Sequence, residues 1–364
     1  MFLRLEQLKK IDFVLLAIVL LLISVGLLSI YGISKEKGLR IFERQLIYVI
    51  LGILLMLLLA SFDYRIFRDH NFILLGLYFL GLFLLAVVLL FGKEIRGALS
   101  WFRFGKLGFE PIELVKIAII LVLAKYFSLR HIEVSRFRHL IISGLYVALP
   151  LILVLLQPEL GYVLIIGLVW LAIIIVAGIR LKHLIIIVLI GVIIVSVSWF
   201  YLLKDYQQQR IVSFLNPYSD PMGQGYHIIQ STIAIGSGKF FGRGLGHGTQ
   251  SQLNFLPEQH TDFIFATIAE EWGFFGSVFI FVLFGLLFFR LIRISLNSSN
   301  NFARLFLIGI ATMISVQAII NIAMNMGLLP IIGIPLPFIS YGGSNMLMNF
   351  FTLGIVQSIV IRNK

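Results

Sequence analysis

The segment Leu256-Pro-Glu-Gln-His-Thr-Asp-Phe-Ile-Phe265 carries three proton-handling side chains, Glu258, His260 and Asp262, from polar sequence into an apolar run. A carboxylate at such a boundary is costly unless it is stabilised or used. Asp262 fits a general base, an acceptor for the proton of an attacking hydroxyl. The simpler alternative is an acid in the first helical turn, held by the positive end of the helix dipole. That alternative does not reach Glu270 and Glu271, which lie farther inside the apolar run. Buried acids of this kind face a cavity, pair with a base or move protons. These two read as structural partners rather than reacting groups.

Other charged groups could hold an anionic substrate. Glu113 and Lys116 are three apart and share a helix face. They form either a buried ion pair pinning two helices, the favoured reading, or a substrate groove lined by Lys116. Glu159, in the turn Gln157-Pro-Glu-Leu-Gly161, is either a solvated acid or faces the same cavity as Asp262. The cluster Gly236-Ser-Gly-Lys-Phe-Phe-Gly-Arg-Gly-Leu-Gly-His-Gly248 breaks the nucleotide phosphate-loop templates, with Ile233 and Phe240 at two template positions. It is either a tight packed loop or a pyrophosphate cradle of backbone N–H groups with Lys239 and Arg243. Glu258, His260, Asp262 and His247 match no standard structural-metal spacing. No cofactor is fixed; a hard divalent cation, Mg or Mn, bridging a substrate phosphate to one carboxylate is the better metal candidate.

The elements that must position these groups are membrane helices. The chain has 364 residues, 60% hydrophobic and 13% charged, with a net charge of +12 and no cysteine. Its mean hydropathy is +1.03. This is an all-α polytopic membrane protein, without thiolate chemistry or disulfides and without a separate basic domain for nucleic acid. At roughly 20 apolar residues per span, about ten transmembrane helices are expected, at 12–32, 45–62, 71–91, 111–128, 139–156, 161–179, 183–203, 262–289, 302–326 and 335–361. They form a single domain over 1–364, with a large loop at about 204–261 between helices 7 and 8. Lys and Arg weakly favour both termini on the cytoplasmic side and the large loop outside. The first 31 residues do not read as a cleavable signal peptide. Arg96, Arg103 and Lys106 beside Trp101-Phe102 make a basic, aromatic outer loop, suited to an anionic amphiphile or to lipid headgroups. Gly327, Pro330, Gly333, Pro335 and Pro337, followed by Ser340-Tyr-Gly-Gly-Ser344, imply broken helix or a re-entrant segment lining a cavity.

Together these motifs resemble the shape, elongation, division and sporulation (SEDS) family over essentially the whole chain. The carriers are Arg96-Gly-Ala98 with Trp101, Glu110-Pro-Ile-Glu113-Leu-Val-Lys116, Gln209-Arg-Ile211, Asp220-Pro-Met-Gly-Gln-Gly-Tyr226 and Gln230-Ser231. Ile233-Ala-Ile-Gly-Ser-Gly238, Gly248-Thr-Gln-Ser-Gln-Leu253, Phe255 through Phe265, Pro335-Leu-Pro337 and Ser340-Tyr-Gly-Gly-Ser344 continue the pattern. Gly-Thr-Gln-Ser is closer to the elongation branch than to the division branch. Glu110 stands where the family motif has Gln, Ile112 where it has Ser, and Glu159 where Asp is more frequent; Lys239 follows Ser-Gly where another Gly is common.

The resemblance implies a peptidoglycan glycosyltransferase in the bacterial cytoplasmic membrane. It would polymerise lipid II, a disaccharide-peptide on undecaprenyl pyrophosphate, at the outer face. Asp262 would be the base, with Arg96, Trp101, Glu113, Lys116, Glu159, Arg210, Lys239, Glu258, His260, Ser340, Tyr341 and Ser344 contacting substrate. Implied partners are a class B penicillin-binding protein transpeptidase and other elongation-complex membrane proteins. The residues alone leave two alternatives open, a flippase for the same lipid and a non-catalytic scaffold.

Overall fold

The computed structural model describes residues 10–35, 38–95, 98–104, 107–130, 137–201, 203–256 and 258–363. Ten long helices form the bundle: α1 (Phe13–Ser34), α2 (Arg40–Ser61), α3 (Asn71–Phe91), α4 (Pro111–Ser128), α5 (Phe137–Leu156), α6 (Leu160–Ala177), α7 (Leu181–Tyr201), α8 (Ile264–Leu296), α9 (Asn301–Asn325) and α10 (Gly343–Arg362). Among the described residues, nine are long and apolar enough to cross a membrane. The tenth, α4, carries Glu113, Lys116 and Lys125, yet it is buried along nearly its whole length. It is therefore the central post of the bundle. By contrast, α7 presents no fully buried residue among those described and leaves its flanks to lipid.

Local chemistry sets the helix ends. Asp12 caps α1, its Oδ1 accepting from the Leu15 N–H at 3.0 Å. Its Oδ2 takes the Arg290 Nε–H at 2.8 Å, and Gln357 brackets its backbone, so α1, α8 and α10 are tied where the chain begins and ends. Pro111 opens α4, where its missing N–H costs nothing. Asn300 caps α9 through the Ala303 N–H at 3.0 Å.

Three departures from the sequence expectation matter. First, the connection between α3 and α4 holds a small antiparallel sheet, β1 (Lys93–Ile95), β2 (Ala98–Phe104) and β3 (Leu107–Phe109). Second, the large loop is mainly helical, with helices at Asp205–Leu215, Gln224–Ser237 and Thr249–Gln252. Third, the last helix begins at Gly343 rather than 335, and α8 runs to Leu296 rather than 289. Residues 326–342 form the irregular segment that Pro and Gly implied, with positive φ at Gly327, Gly333 and Phe338. In addition, α8 breaks at Gly273, where φ is 68° and ψ is −157°.

Close helix contact depends on small residues. A Cβ on Gly354 would lie 2.9 Å from the Met56 carbonyl oxygen and 2.6 Å from the Leu59 Cβ. Gly354→Val therefore separates α10 from α2, and overpacking of this kind costs about 1–3 kcal/mol. Thermal unfolding in detergent should show a lowered midpoint, whereas Gly285→Ala, at a position with nothing within 4 Å, should not destabilise.

Candidate active site

Asp262 sits immediately before α8. Phe263 is the N-cap residue, and no side chain caps the helix there, so the first-turn dipole role does not account for Asp262. Its backbone is clamped from α9. Asn325 and Asn321 donate through Nδ2 to the Asp262 carbonyl at 2.9 and 3.0 Å. Asn321 Nδ2 also reaches the Ile334 carbonyl at 2.8 Å, and the Ala266 N–H donates to Asn325 Oδ1 at 3.1 Å. The preceding residues are held by the irregular segment. The Ser340 hydroxyl donates to the Thr261 carbonyl at 2.7 Å and accepts the Leu336 N–H at 2.8 Å, while the Tyr341 N–H donates to the His260 carbonyl at 2.8 Å.

The Asp262 carboxyl lies beside Gly333, 3.6 Å from where a Cβ would stand. Gly161, two residues after Glu159, packs on Ile334 closely enough that a Cβ would come within 2.7 Å of its side chain. The small sheet contributes Ser100, whose hydroxyl donates to Glu159 Oε1 at 2.8 Å. Burial pushes the Glu159 carboxyl up from its usual range; the Ser100 hydrogen bond opposes that shift, the Asp262 charge adds to it and Arg210 opposes it. Asp262, Glu159 and Arg210 thus share one electrostatic neighbourhood, with Arg210 delivered by the loop helix Asp205–Leu215 that follows α7.

Behind Glu159 lies a buried polar wall. Lys116 pairs with both oxygens of Glu113, at 3.0 and 2.9 Å, with both side chains 2% exposed. Asn345 Nδ2 and the Tyr162 hydroxyl each donate to Glu113 Oε1 at 3.2 Å, and the Lys116 ammonium lies 5.0 Å from the Tyr162 ring centroid. The ion-pair reading therefore describes this geometry, and the Lys116 charge is engaged by Glu113. Glu110, which caps the N-terminal end of α4, is fully buried. Burial drives its carboxyl well above the usual range, and Glu113 and Glu159 add to the rise, against the Tyr162 hydrogen bond and Lys116. The Tyr162 hydroxyl has one hydrogen and gives it to Glu113, so the contact with Glu110 is satisfied when Glu110 keeps its own proton. A protonated Glu donates one hydrogen bond much as Gln does, which accommodates Glu110 at a position where the resembled motif has Gln.

The other expected substrate contacts are distributed as follows. Trp101 is half-buried on β2 and packs on Gly108, while Arg96 lies outside the described residues. Ser344 is buried, accepting the Glu110 N–H at 3.1 Å and donating to the Gly108 carbonyl at 3.2 Å. Ser340 and Ser344 thus hold backbone in place, whereas Tyr341 stacks edge-on against His260 with ring centroids 5.5 Å apart. Glu258, at φ 48°, receives the Thr261 hydroxyl at 3.2 Å. Lys239 is not brought to Asp262: its carbonyl accepts the Phe274 N–H at 2.8 Å, and residues 264–272, roughly 13 Å of helix, stand between Asp262 and that bond. Glu270 accepts the Gln250 and Ser251 N–H groups at 2.8 and 3.1 Å, and Glu271 accepts the Gly246 N–H at 2.9 Å, so both acids fasten the loop. Among the described residues, no three His, Asp or Glu side chains converge as a metal cage.

Asn321, Asn325, Gln45 and Tyr162 were not anticipated as site residues. The available signal was polar amides in apolar helices, with Asn321 and Asn325 one turn apart on one face.

A family model described as cell cycle protein, that of FtsW, RodA and SpoVE, matches residues 8–364. Peptidoglycan glycosyltransferase MrdB of Escherichia coli K12 is 36% identical over 354 residues, covering 97% of this chain and 94% of that protein. Stage V sporulation protein E of Bacillus subtilis is 35% identical over 358 residues, covering 96% of each. Among solved structures, a chain from a peptidoglycan synthase complex superposes with a TM-score of 0.81 at 34% identity, covering 97% of this chain and 98% of that one. The rod shape determining protein RodA of Thermus thermophilus superposes with a TM-score of 0.71 at 29% identity, covering 96% of each.

Two outcomes follow from the buried wall. An acid whose folded-state pKa is raised leaves stability intact at low pH and erodes it as pH rises through that pKa. Glu110→Gln removes the titrating proton, so its thermal midpoint should match the parent in mild acid and exceed it above neutral pH. Lys116→Met strands the buried Glu113 carboxylate and should cost about 3–5 kcal/mol. Adding Glu113→Gln to Lys116→Met should recover much of that loss in the same unfolding assay.

Proposed function

The chain belongs to the FtsW, RodA and SpoVE family of cell cycle proteins, and we propose on that premise that it is a peptidoglycan glycosyltransferase that polymerises lipid II during cell elongation. The observation that carries the mechanism is the clamped backbone of Asp262, which fixes a partly exposed carboxyl beside Glu159 and Arg210.

In this mechanism the 4-hydroxyl of an acceptor sugar attacks the anomeric carbon of a donor sugar, and undecaprenyl pyrophosphate departs. Asp262 takes the hydroxyl proton as general base. Arg210, whose charge acts on Glu159, offsets negative charge on the leaving pyrophosphate. Lys116 acts one layer back, since Glu113 already neutralises it. Its pair fixes the wall against which Glu159 rests. Asp262 and Glu159 are the residues that would hold a hard divalent cation beside the substrate phosphates. Such an ion would supply further positive charge at the leaving group. The open flanks of α7 offer the polyprenyl tail a lateral path from the lipid toward the loop helices.

The large loop then lies on the outer face and both termini are cytoplasmic. A class B penicillin-binding protein supplies the crosslinking activity, a reading supported by the similarity to a chain of a peptidoglycan synthase complex. The other elongation-complex membrane proteins act with it.

Polymerisation of lipid II by the purified protein in detergent tests the central role, because without a membrane to cross only an enzyme makes polymer. Asp262→Asn should lower the rate by roughly 10²- to 10⁴-fold, the usual range for a lost general base. Near wild-type product from that variant would remove Asp262 from the chemistry.

A further inference from the structure

The glycine loop expected as a pyrophosphate cradle lies instead at the break in α8. The N–H groups of Arg243 and Gly244 donate to the carbonyls of Glu270 and Glu271, each at 3.0 Å. In return the Phe274 and Phe275 N–H groups donate to the carbonyls of Lys239 and Phe240, at 2.8 and 3.3 Å. Gly242 and Gly273 have φ of 80° and 68°, and a Cβ on Gly242 would stand 2.1 Å from the Glu271 oxygen. Only glycine permits backbone to lie against backbone so closely. Backbone stitching of this kind fixes the loop against α8.

The stitching turns four phenylalanines outward. Phe240, Phe241, Phe274 and Phe275 are 65%, 83%, 55% and 57% exposed. Phe240 meets Phe274 edge-on at 6.1 Å, and Phe241 meets Phe275 at 5.4 Å. Phe275 begins the lipid-facing stripe of α8, which continues through exposed Phe279, Val282, Leu286 and Phe289. The loop is also level with the end of α1: Gln252 Nε2 donates at 3.0 Å to the carbonyl of Gly32, two residues before that helix finishes. Two spans therefore leave the hydrocarbon at this height, where aromatic side chains concentrate in membrane proteins.

Two exposed cations flank the rings. Lys239 occupies a left-handed backbone position, φ 50°, which disfavours any residue but glycine. Arg243 is braced by Nη1 to the Thr249 hydroxyl at 3.0 Å and by Nε to the Ser237 carbonyl at 3.4 Å. Both line a concavity of about 610 Å³ together with Phe240, Phe241 and His247. Substrate pyrophosphate does not suit this place. It is bonded directly to the reacting anomeric carbon, and the first half of α8, roughly 13 Å of helix, stands between this place and Asp262.

We propose that this loop is a membrane-docking site that seats Phe240 and Phe241 among lipid headgroups and holds the phosphodiester of an anionic phospholipid between Lys239 and Arg243. The rings set the depth at which the loop rides. The cations select anionic over zwitterionic headgroups, and the weld to Glu270 and Glu271 transmits that depth to the first half of α8.

The natural chain has no cysteine, so Phe241→Cys accepts a single environment-sensitive fluorophore. The labelled full-length protein is reconstituted in nanodiscs and titrated with headgroup-level spin-labelled phosphatidylglycerol or phosphatidylcholine. The expected result is quenching by both lipids, stronger with phosphatidylglycerol, and shielding from aqueous iodide. Lys239→Gly with Arg243→Gln should remove the preference for phosphatidylglycerol, a change of about thirty-fold for two headgroup cations. Lys239→Gly also relieves the left-handed strain, so this variant keeps its fold, as its unfolding midpoint will register. Three results overturn the proposal: quenching by iodide but not by lipid, equal response to the two lipids before the cations are removed, or a raised KM for lipid II in phosphatidylcholine-only discs when they are.

Discussion

Irregular backbone inside a membrane bundle has no water to satisfy its N–H and C=O groups, and residues 326–342 are such a segment. Side chains from the neighbouring helices and from the segment itself take the place of water. Asn321 takes the Ile334 carbonyl, Ser340 takes the Leu336 N–H, and Gln45 from α2 reaches the Ser340 carbonyl at 3.2 Å and the Gly342 N–H at 3.3 Å. Asn321 and Ser340 also grip the Asp262 segment, at the carbonyls of Asp262 and Thr261. The hydrogen bonds that make the broken segment tolerable are thus the ones that aim the proposed base. Apolar substitution in this set would unseat scaffold and site together.

A second constraint is the buried charge of α4. Replacing a buried ion pair by well-packed apolar residues is often neutral or stabilising, so Glu113 and Lys116 are weak evidence of stability in themselves. Their value is in what they organise. Glu113 gathers Lys116, Tyr162 and Asn345 from three helices, and Tyr162 carries the network to Glu110. The wall behind Glu159 is therefore polar, directional and fixed.

The ten long helices are legible because hydropathy accumulates over some twenty residues, although the three charges of α4 keep it from qualifying as a span by composition. What hydropathy cannot separate is an apolar helix from apolar irregular backbone. Hydropathy starts the last span at 335, although Pro335, Leu336 and Pro337 are buried or half-buried outside any helix. The helices of the large loop were missed because Gly and polar residues dominate there, and their order comes from contact with α8 and α9, as in the bond from the Ser231 hydroxyl to the Asn325 carbonyl at 2.7 Å. The place of Asp262 at a polarity boundary is legible in the sequence. The residues that hold it are not, since a lone Asn or Gln in an apolar helix does not announce its partner. The glycine cluster showed its need for positive φ but not its location, which depends on where α8 breaks.

That break explains how two acids sit in an apolar run. An unbroken helix from Ile264 to Leu296 has 33 residues, about 50 Å of length against a hydrocarbon core of about 30 Å. At Gly273 the chain divides the two tasks. The second half spans with an exposed apolar stripe, while the first half packs with the loop helix Gln224–Ser237 around Ala234, Leu256, Phe263 and Ala266. Glu270 and Glu271 fall on the loop side of the break. Their neighbours are the backbone N–H groups of Gly246, Gln250 and Ser251 rather than lipid, and such donors offset the cost of burying the Glu270 carboxylate and one oxygen of Glu271. Hydropathy placed these acids inside a span; the left-handed glycine places them at its mouth, as fasteners between the membrane helix and the loop that carries Asp262.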